Sequence, residues 1–67
     1  MAMDEIIGLT AGSIWNYINE NGETSAIKLK ASLGISNRLL CFSLGWLSRE
    51  QKVLITEDGL TFKVSLR

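Results

Sequence analysis

The chain predicts an α+β domain: three helices followed by a two-stranded antiparallel hairpin. Three observations carry this. Residues 25–33 and 37–50 are two helix-period segments separated only by Gly34-Ile35-Ser36. Residues 53–57 and 60–66 alternate apolar and polar side chains around Asp58-Gly59, a strong signal for a tight hairpin turn. A further helix-period segment, residues 11–21, precedes both. Helix, tight turn, helix and hairpin in that order are the plan of a winged helix-turn-helix, with helix three offered for contact and the hairpin as a wing.

The first helix is expected to start at Thr10, whose hydroxyl would accept a first-turn amide. Leu9 and Ile14 would form a hydrophobic staple across that cap. Ala11, Ile14, Trp15 and Ile18 share one apolar stripe. Asn21-Gly22 ends the helix. Residues 1–8 stay open between a flexible end and a segment, led by Ile6-Ile7, that tucks against the core or a second subunit. Glu23-Thr24 is a connector that can supply a short third strand.

Ser25 is the expected cap of helix two, with Ile27, Leu29 and Leu33 facing the core. In the turn, Gly34 closes helix two, Ile35 plugs the angle and Ser36 caps helix three. Helix three has an inner stripe of Leu40, Leu44 and Leu47. Its second stripe, Leu39, Phe42 and Trp46, is expected to pack partly against the hairpin. The turn at Asp58-Gly59 sets Ile55 opposite Phe62 and Val53 opposite Val64, all on one sheet face. Leu54, Thr56, Thr61, Lys63 and Ser65 take the other.

With 67 residues, the chain makes one domain, residues 1–67, near the lower limit for folding on one core. Hydrophobic residues form 46% of it and proline is absent, which favours a globule over disorder. No apolar run approaches the roughly 20 residues a membrane helix needs. The acidic start, Met1-Ala2-Met3-Asp4-Glu5, has no secretory-signal character. A lone cysteine, Cys41, in so small a domain points to a reducing, cytoplasmic setting.

The chemistry argues against catalysis. Histidine is absent, which removes the commonest general base and metal ligand. One cysteine without histidine builds no familiar zinc site. No glycine-rich phosphate loop lies between a strand and a helix. Asp4-Glu5 and Glu57-Asp58 fall at a terminus and a turn tip, where solvated charge explains them. No enzyme, metal, cofactor or small-molecule substrate is therefore expected.

Formal net charge is zero, but its distribution is uneven. Residues 1–24 carry −4, and residues 25–53 carry +4. On a DNA-binding reading, Asn37 and Arg38 reach base edges from the start of helix three. Lys28, Lys30, Arg49 and Lys52 then contact phosphates. The acidic Glu57-Asp58 tip of the wing counts against this reading. The alternative is a protein interface without DNA affinity. Asn37, Cys41, Gly45 and Ser48 recur about one turn apart, so a partner helix could approach closely. Phe42 and Trp46 border that groove, and aromatic residues are enriched at interface centres. Exposure of either aromatic would favour the interface; burial under the wing, the commoner fate of a tryptophan, would not. Double-stranded DNA, another protein and a second copy all remain open as partners, with DNA binding by helix three the first expectation.

Gly8-Leu9-Thr10-Ala11-Gly12, Ile14-Trp15-Asn16-Tyr17 and Asn19-Glu20-Asn21-Gly22-Glu23 resemble a family of small bacterial winged-helix domains catalogued as a domain of unknown function. So do Leu39-Leu40, Ser43-Leu44-Gly45-Trp46-Leu47-Ser48-Arg49-Glu50 and Lys63-Val64-Ser65-Leu66. The resemblance spans nearly the whole chain, and Leu44-Gly45-Trp46-Leu47 is its most distinctive stretch. It implies the winged-helix fold, a cytoplasmic bacterial origin and, from some members, a homodimer. It transfers no catalytic residues.

Overall fold

The computed structural model describes residues 2–67. Its elements are α1 (Met3–Asn21), β1 (Thr24–Ser25), α2 (Ala26–Leu33), α3 (Asn37–Arg49), β2 (Val53–Asp58) and β3 (Thr61–Leu66). The three strands form one sheet in the order β1-β3-β2, with both pairings antiparallel. Three helices and a small antiparallel sheet in this order make the winged-helix plan expected above.

The first helix is longer than expected. It starts at Met3 behind Ala2, which makes no side-chain cap bond. Thr10 is therefore no cap: it lies mid-helix and is buried. Leu9 is exposed, so there is no staple. Propensity does not explain the extra turns, since Gly8 and Gly12 each cost about 1 kcal/mol relative to alanine. Asp4 and Glu5 lie in the first turn, where the positive end of the helix dipole favours carboxylates. Half-burial of Ile6 and Ile7 continues the stripe of Ala11, Ile14 and Ile18 toward the N-terminus. Packing and dipole together extend the helix past the capping signal. Gly22, at φ 81°, ends it and donates its amide to Ile18 O at 2.7 Å.

β1 adds two rungs to the sheet, Thr24 opposite Val64 and Ser25 opposite Lys63, one residue later than the expected third strand. Ser25 then caps α2, its Oγ accepting the Lys28 amide at 3.1 Å. Ala26 and Leu29 are buried and Leu33 is half-buried. Ile27 does not face the core as expected; it is 70% exposed. Ala26 and Leu29, one turn apart, already fill the contact, and Ile27 projects from the side of so short a helix. Tyr17 Oη and Ser32 Oγ, 3.3 Å apart, tie α1 to α2.

Gly34 adopts the left-handed conformation, φ 62°, and closes α2. Both its amide and that of Ile35 point at Lys30 O. Ser36 Oγ accepts the Leu39 amide at 3.1 Å and starts α3. The end of α3 has the same Schellman-type geometry as that of α2: Lys52 N donates to Leu47 O at 2.9 Å. Here the left-handed residue is Gln51, at φ 58°.

The hairpin closes one position later than expected. Asp58 pairs with Thr61, so Gly59-Leu60 forms the turn. Gly59 has φ 66° and Leu60 has no positive φ, the sign pattern of a type II′ turn with glycine first. The register moves with it: Ile55 lies opposite Val64 and Val53 opposite Leu66. Because the shift is two residues, Val53, Ile55, Phe62 and Val64 still share one face. Val53 and Val64 are buried there, whereas Ile55 is exposed. The core beneath the sheet is Ile14, Ile18, Leu29, Leu40, Leu44, Leu47, Val53 and Val64.

Candidate contact surface on the third helix

At 100° per residue, α3 buries an arc centred between Leu47 and Leu40. Leu40, Ser43, Leu44 and Leu47 form it. Ser43 was not anticipated as core. Its hydroxyl is fully buried and has no hydrogen-bond partner.

Measured from the centre of that arc, Trp46 points about 110° away and Phe42 about 150° away. Neither is under the wing. Phe42 is 50% exposed and Trp46 is 53% exposed, which overturns the expectation that both are core. Ser43, between them in sequence, is the buried residue of that turn, so the helix turns its small residue inward and its aromatics out. Gly45 lies beside them, and a Cβ added there would meet nothing within 4 Å. Arg38 precedes Phe42 by one turn and Arg49 follows it by two, so both arginines flank Phe42 on the outward face.

Two clefts border α3, on opposite flanks. One, of about 340 Å³, lies between α2, the start of α3 and the wing. It brings Lys30, Asn37 and Cys41 together with Ile27 and the hairpin residues Leu60 and Phe62. The other, of about 270 Å³, lies between α1 and the end of α3. Trp15, Trp46 and Lys52 line it, and Gly8 and Gly12 keep its floor open. Lys28, Arg38, Phe42, Gly45, Ser48 and Arg49 line neither cleft, although all are exposed.

The cations expected to hold a phosphate backbone are thus divided. Lys30 lines the wing-side cleft and Lys52 the cleft against α1, while Lys28 and Arg49 line neither; of the residues expected at base edges, Asn37 lines the wing-side cleft and Arg38 does not. Asn37, Cys41, Gly45 and Ser48 share one exposed face of α3, and the first two border the wing-side cleft. The wing tip carries Glu57 and Asp58, both exposed, and a fully exposed Leu60. Lys63 Nζ lies 3.8 Å from Asp58 Oδ2, a half-exposed pair worth at most about 1 kcal/mol. It is the one ion pair among the described residues, so Arg38, Arg49 and Lys52 hold unpaired charge.

Sequence reasoning missed the cleft between α1 and α3. The signal was present: Gly8, Gly12 and Trp15 recur at helical spacing, but they share a face only if the helix begins before Thr10. Among the described residues no cluster of three potential metal ligands occurs. Nor, among the described residues, is any helix long and apolar enough to cross a membrane.

A family model described as a winged helix-turn-helix domain (DUF2582) matches residues 1–66. Among curated proteins, an uncharacterized protein of the archaeon Methanocaldococcus jannaschii, MJ1608, is 31% identical over 64 residues, which covers 91% of this chain and 90% of that one. That relative is archaeal, whereas the resemblance implied bacteria. No solved structure matches.

Proposed function

Because the chain belongs to the winged helix-turn-helix domain family DUF2582, we propose that it is a non-catalytic binding module that contacts another protein through α3. The winged helix-turn-helix is a DNA-binding-like scaffold, and its members typically lack enzymatic activity. What supports the protein reading is one observation: Phe42 and Trp46 stand half-exposed, one turn apart, in the middle of the helix that would otherwise read bases. Base edges present hydrogen-bond donors and acceptors. Half-exposed aromatics suit a protein partner, because their burial on binding yields the largest contact energies. Leu60 at an acidic wing tip adds to this, since phosphate repels the carboxylates and leaves the leucine unused. The unpaired Cys41 thiol supports work in a reducing compartment such as the cytoplasm.

DNA binding is the second reading. Asn37 and Arg38 at the exposed start of α3 support it, with Lys28, Lys30, Arg49 and Lys52 around them. One pair of assays separates the two. Duplex retardation at low salt, with Arg38→Glu and the double variant Phe42→Ser/Trp46→Ser, tests DNA contact. Sedimentation across a concentration range with the same variants tests self-association, the simplest protein contact. The protein reading expects no retardation. Salt-steep duplex binding, lost in Arg38→Glu and kept in the aromatic double variant, would refute it.

A further inference from the structure

We infer that β2 pairs edge to edge with the β2 of a second copy around a two-fold axis at Thr56, joining two three-stranded sheets into one of six strands. This contact uses the wing rather than α3 and does not rest on the reading above.

β2 is the outer strand of the sheet, with β3 on its inner side. Its pairing runs unbroken from Val53 to Asp58, without a bulge, and the chain has no proline. Such an edge is a template for another strand. The ladder itself fixes which of its groups are free. Arg67 N donates to Lys52 O at 3.1 Å, so Lys52 turns its backbone toward β3. Antiparallel alternation then turns Leu54, Thr56 and Asp58 the same way, and Val53, Ile55 and Glu57 outward. Val53 is 1% exposed, which closes its groups to a partner. Ile55 and Glu57 are exposed. Nothing else among the described residues bonds their amides or carbonyls.

That free set is self-complementary in one register. A two-fold axis perpendicular to the sheet makes the two edges antiparallel and presents the same patch from both copies. Centred on Leu54 or Ile55, it would need the closed groups of Val53. Centred on Glu57, it would set two like charges directly opposite each other, which destabilises. Centred on Thr56, it sets Ile55 against Glu57 of the other copy, twice, and each pair exchanges both N–H···O bonds. Threonine then faces threonine on the axis, a favourable cross-strand pair. Asp58 arrives opposite Leu54 with its charge already countered by its own Lys63, 3.8 Å away. The same register gives partners to two leucines that the fold leaves in water. Leu54 is 47% exposed on the polar sheet face, and Leu60 is fully exposed at the turn. Leu60 of the other copy follows Asp58 by two positions, which is the diagonal from Leu54.

The test is a cross-link that only this register permits. Thr56→Cys, made together with Cys41→Ser, places two thiols on the axis. Cα atoms of such a non-hydrogen-bonded pair stand about 4.5 Å apart, inside the disulfide range. Mild oxidation should convert this variant to a covalent dimer. Leu54→Cys with Cys41→Ser, four residues out of step with its own copy, should stay monomeric. Sedimentation of the unsubstituted chain should show the mass doubling as concentration rises. Ile55→Pro removes an outward amide and no bond to β3, at an edge position that tolerates proline; it should abolish the doubling, while Phe42→Ser/Trp46→Ser should keep it. Amide exchange needs no substitution: Ile55 and Glu57 should slow with rising concentration.

Equal cross-linking of both cysteine variants would report random collision and overturn the proposal. So would cross-linking of neither, or exchange at Ile55 and Glu57 that ignores concentration. Doubling lost in Phe42→Ser/Trp46→Ser and kept in Ile55→Pro would overturn it too, and would place self-association on α3.

Discussion

Ser43→Ala should make this domain more stable. Ser43 is fully buried in the middle of α3, and its Oγ has no partner. A buried hydroxyl left unpaired costs about 1–3 kcal/mol of desolvation. Alanine removes that cost and is the better helix former by a few tenths of a kcal/mol, roughly the spread between ordinary residues. Against this stands a void the size of one oxygen atom, smaller than the methyl-sized cavity that costs about 1 kcal/mol. The net gain is about 1–2 kcal/mol by these terms. In a chain this short, each kcal/mol moves the midpoint by about 4–8 °C. Thermal unfolding followed by circular dichroism, with urea titration as a second probe, measures the change. Ser48→Ala, at an exposed position on the same helix, is the control and should move little. A loss of stability in Ser43→Ala would refute the reasoning. It would mean that the hydroxyl bonds back to the Leu39 carbonyl one turn earlier, as buried serines in helices can.

Gln51→Gly should also stabilise, by roughly 0.5–1 kcal/mol, because Gln51 holds the left-handed conformation that glycine adopts without a Cβ penalty; an unchanged urea midpoint would speak against that cap. Gly34→Ala, at φ 62°, should lose about 1 kcal/mol or more for the converse reason, read from the same titration. Ser36→Ala removes the Leu39 cap bond and should cost about 1 kcal/mol, visible as a lower midpoint with an unchanged slope. Leu29→Ala empties a fully buried site beneath the sheet and should cost about 2–5 kcal/mol. For a domain whose whole stability is of that order, partial unfolding at room temperature is the expected spectrum.

Local chemistry was legible wherever one residue type performs one task. Ser25 and Ser36 cap because their side chains can reach a free amide, and Gly22 and Gly34 stop helices because they lack a Cβ. The inner stripe of α3 followed from its period alone. The misses have a common cause. Thr10 has a capping side chain, but the packing of Ile6 and Ile7 on one helical line with Ala11 and Ile14 outweighed it. Asp58-Gly59 suggested a turn at those two residues, whereas the observed pairing uses glycine first and places Leu60 at the tip. Ile27 read as core on a helix whose buried contact was already filled by Ala26 and Leu29. Gln51 gives no stop signal in sequence, because nothing about glutamine favours a left-handed backbone; the turn into β2 imposes it.

The sequence by itself determined the order of elements, most of their ends, and the parity of the hairpin faces. These depend on neighbours within a few positions along the chain, where capping, period and turn chemistry act. Only the tertiary structure decided how far the buried arc of α3 extends beyond its leucine stripe, and to which side. That depends on how the leucines and Ser43 fit against α1 and the sheet, a competition among residues far apart in sequence. It placed Phe42 and Trp46 in solvent and opened the cleft beside Trp15, and the contact surface consists of those two consequences.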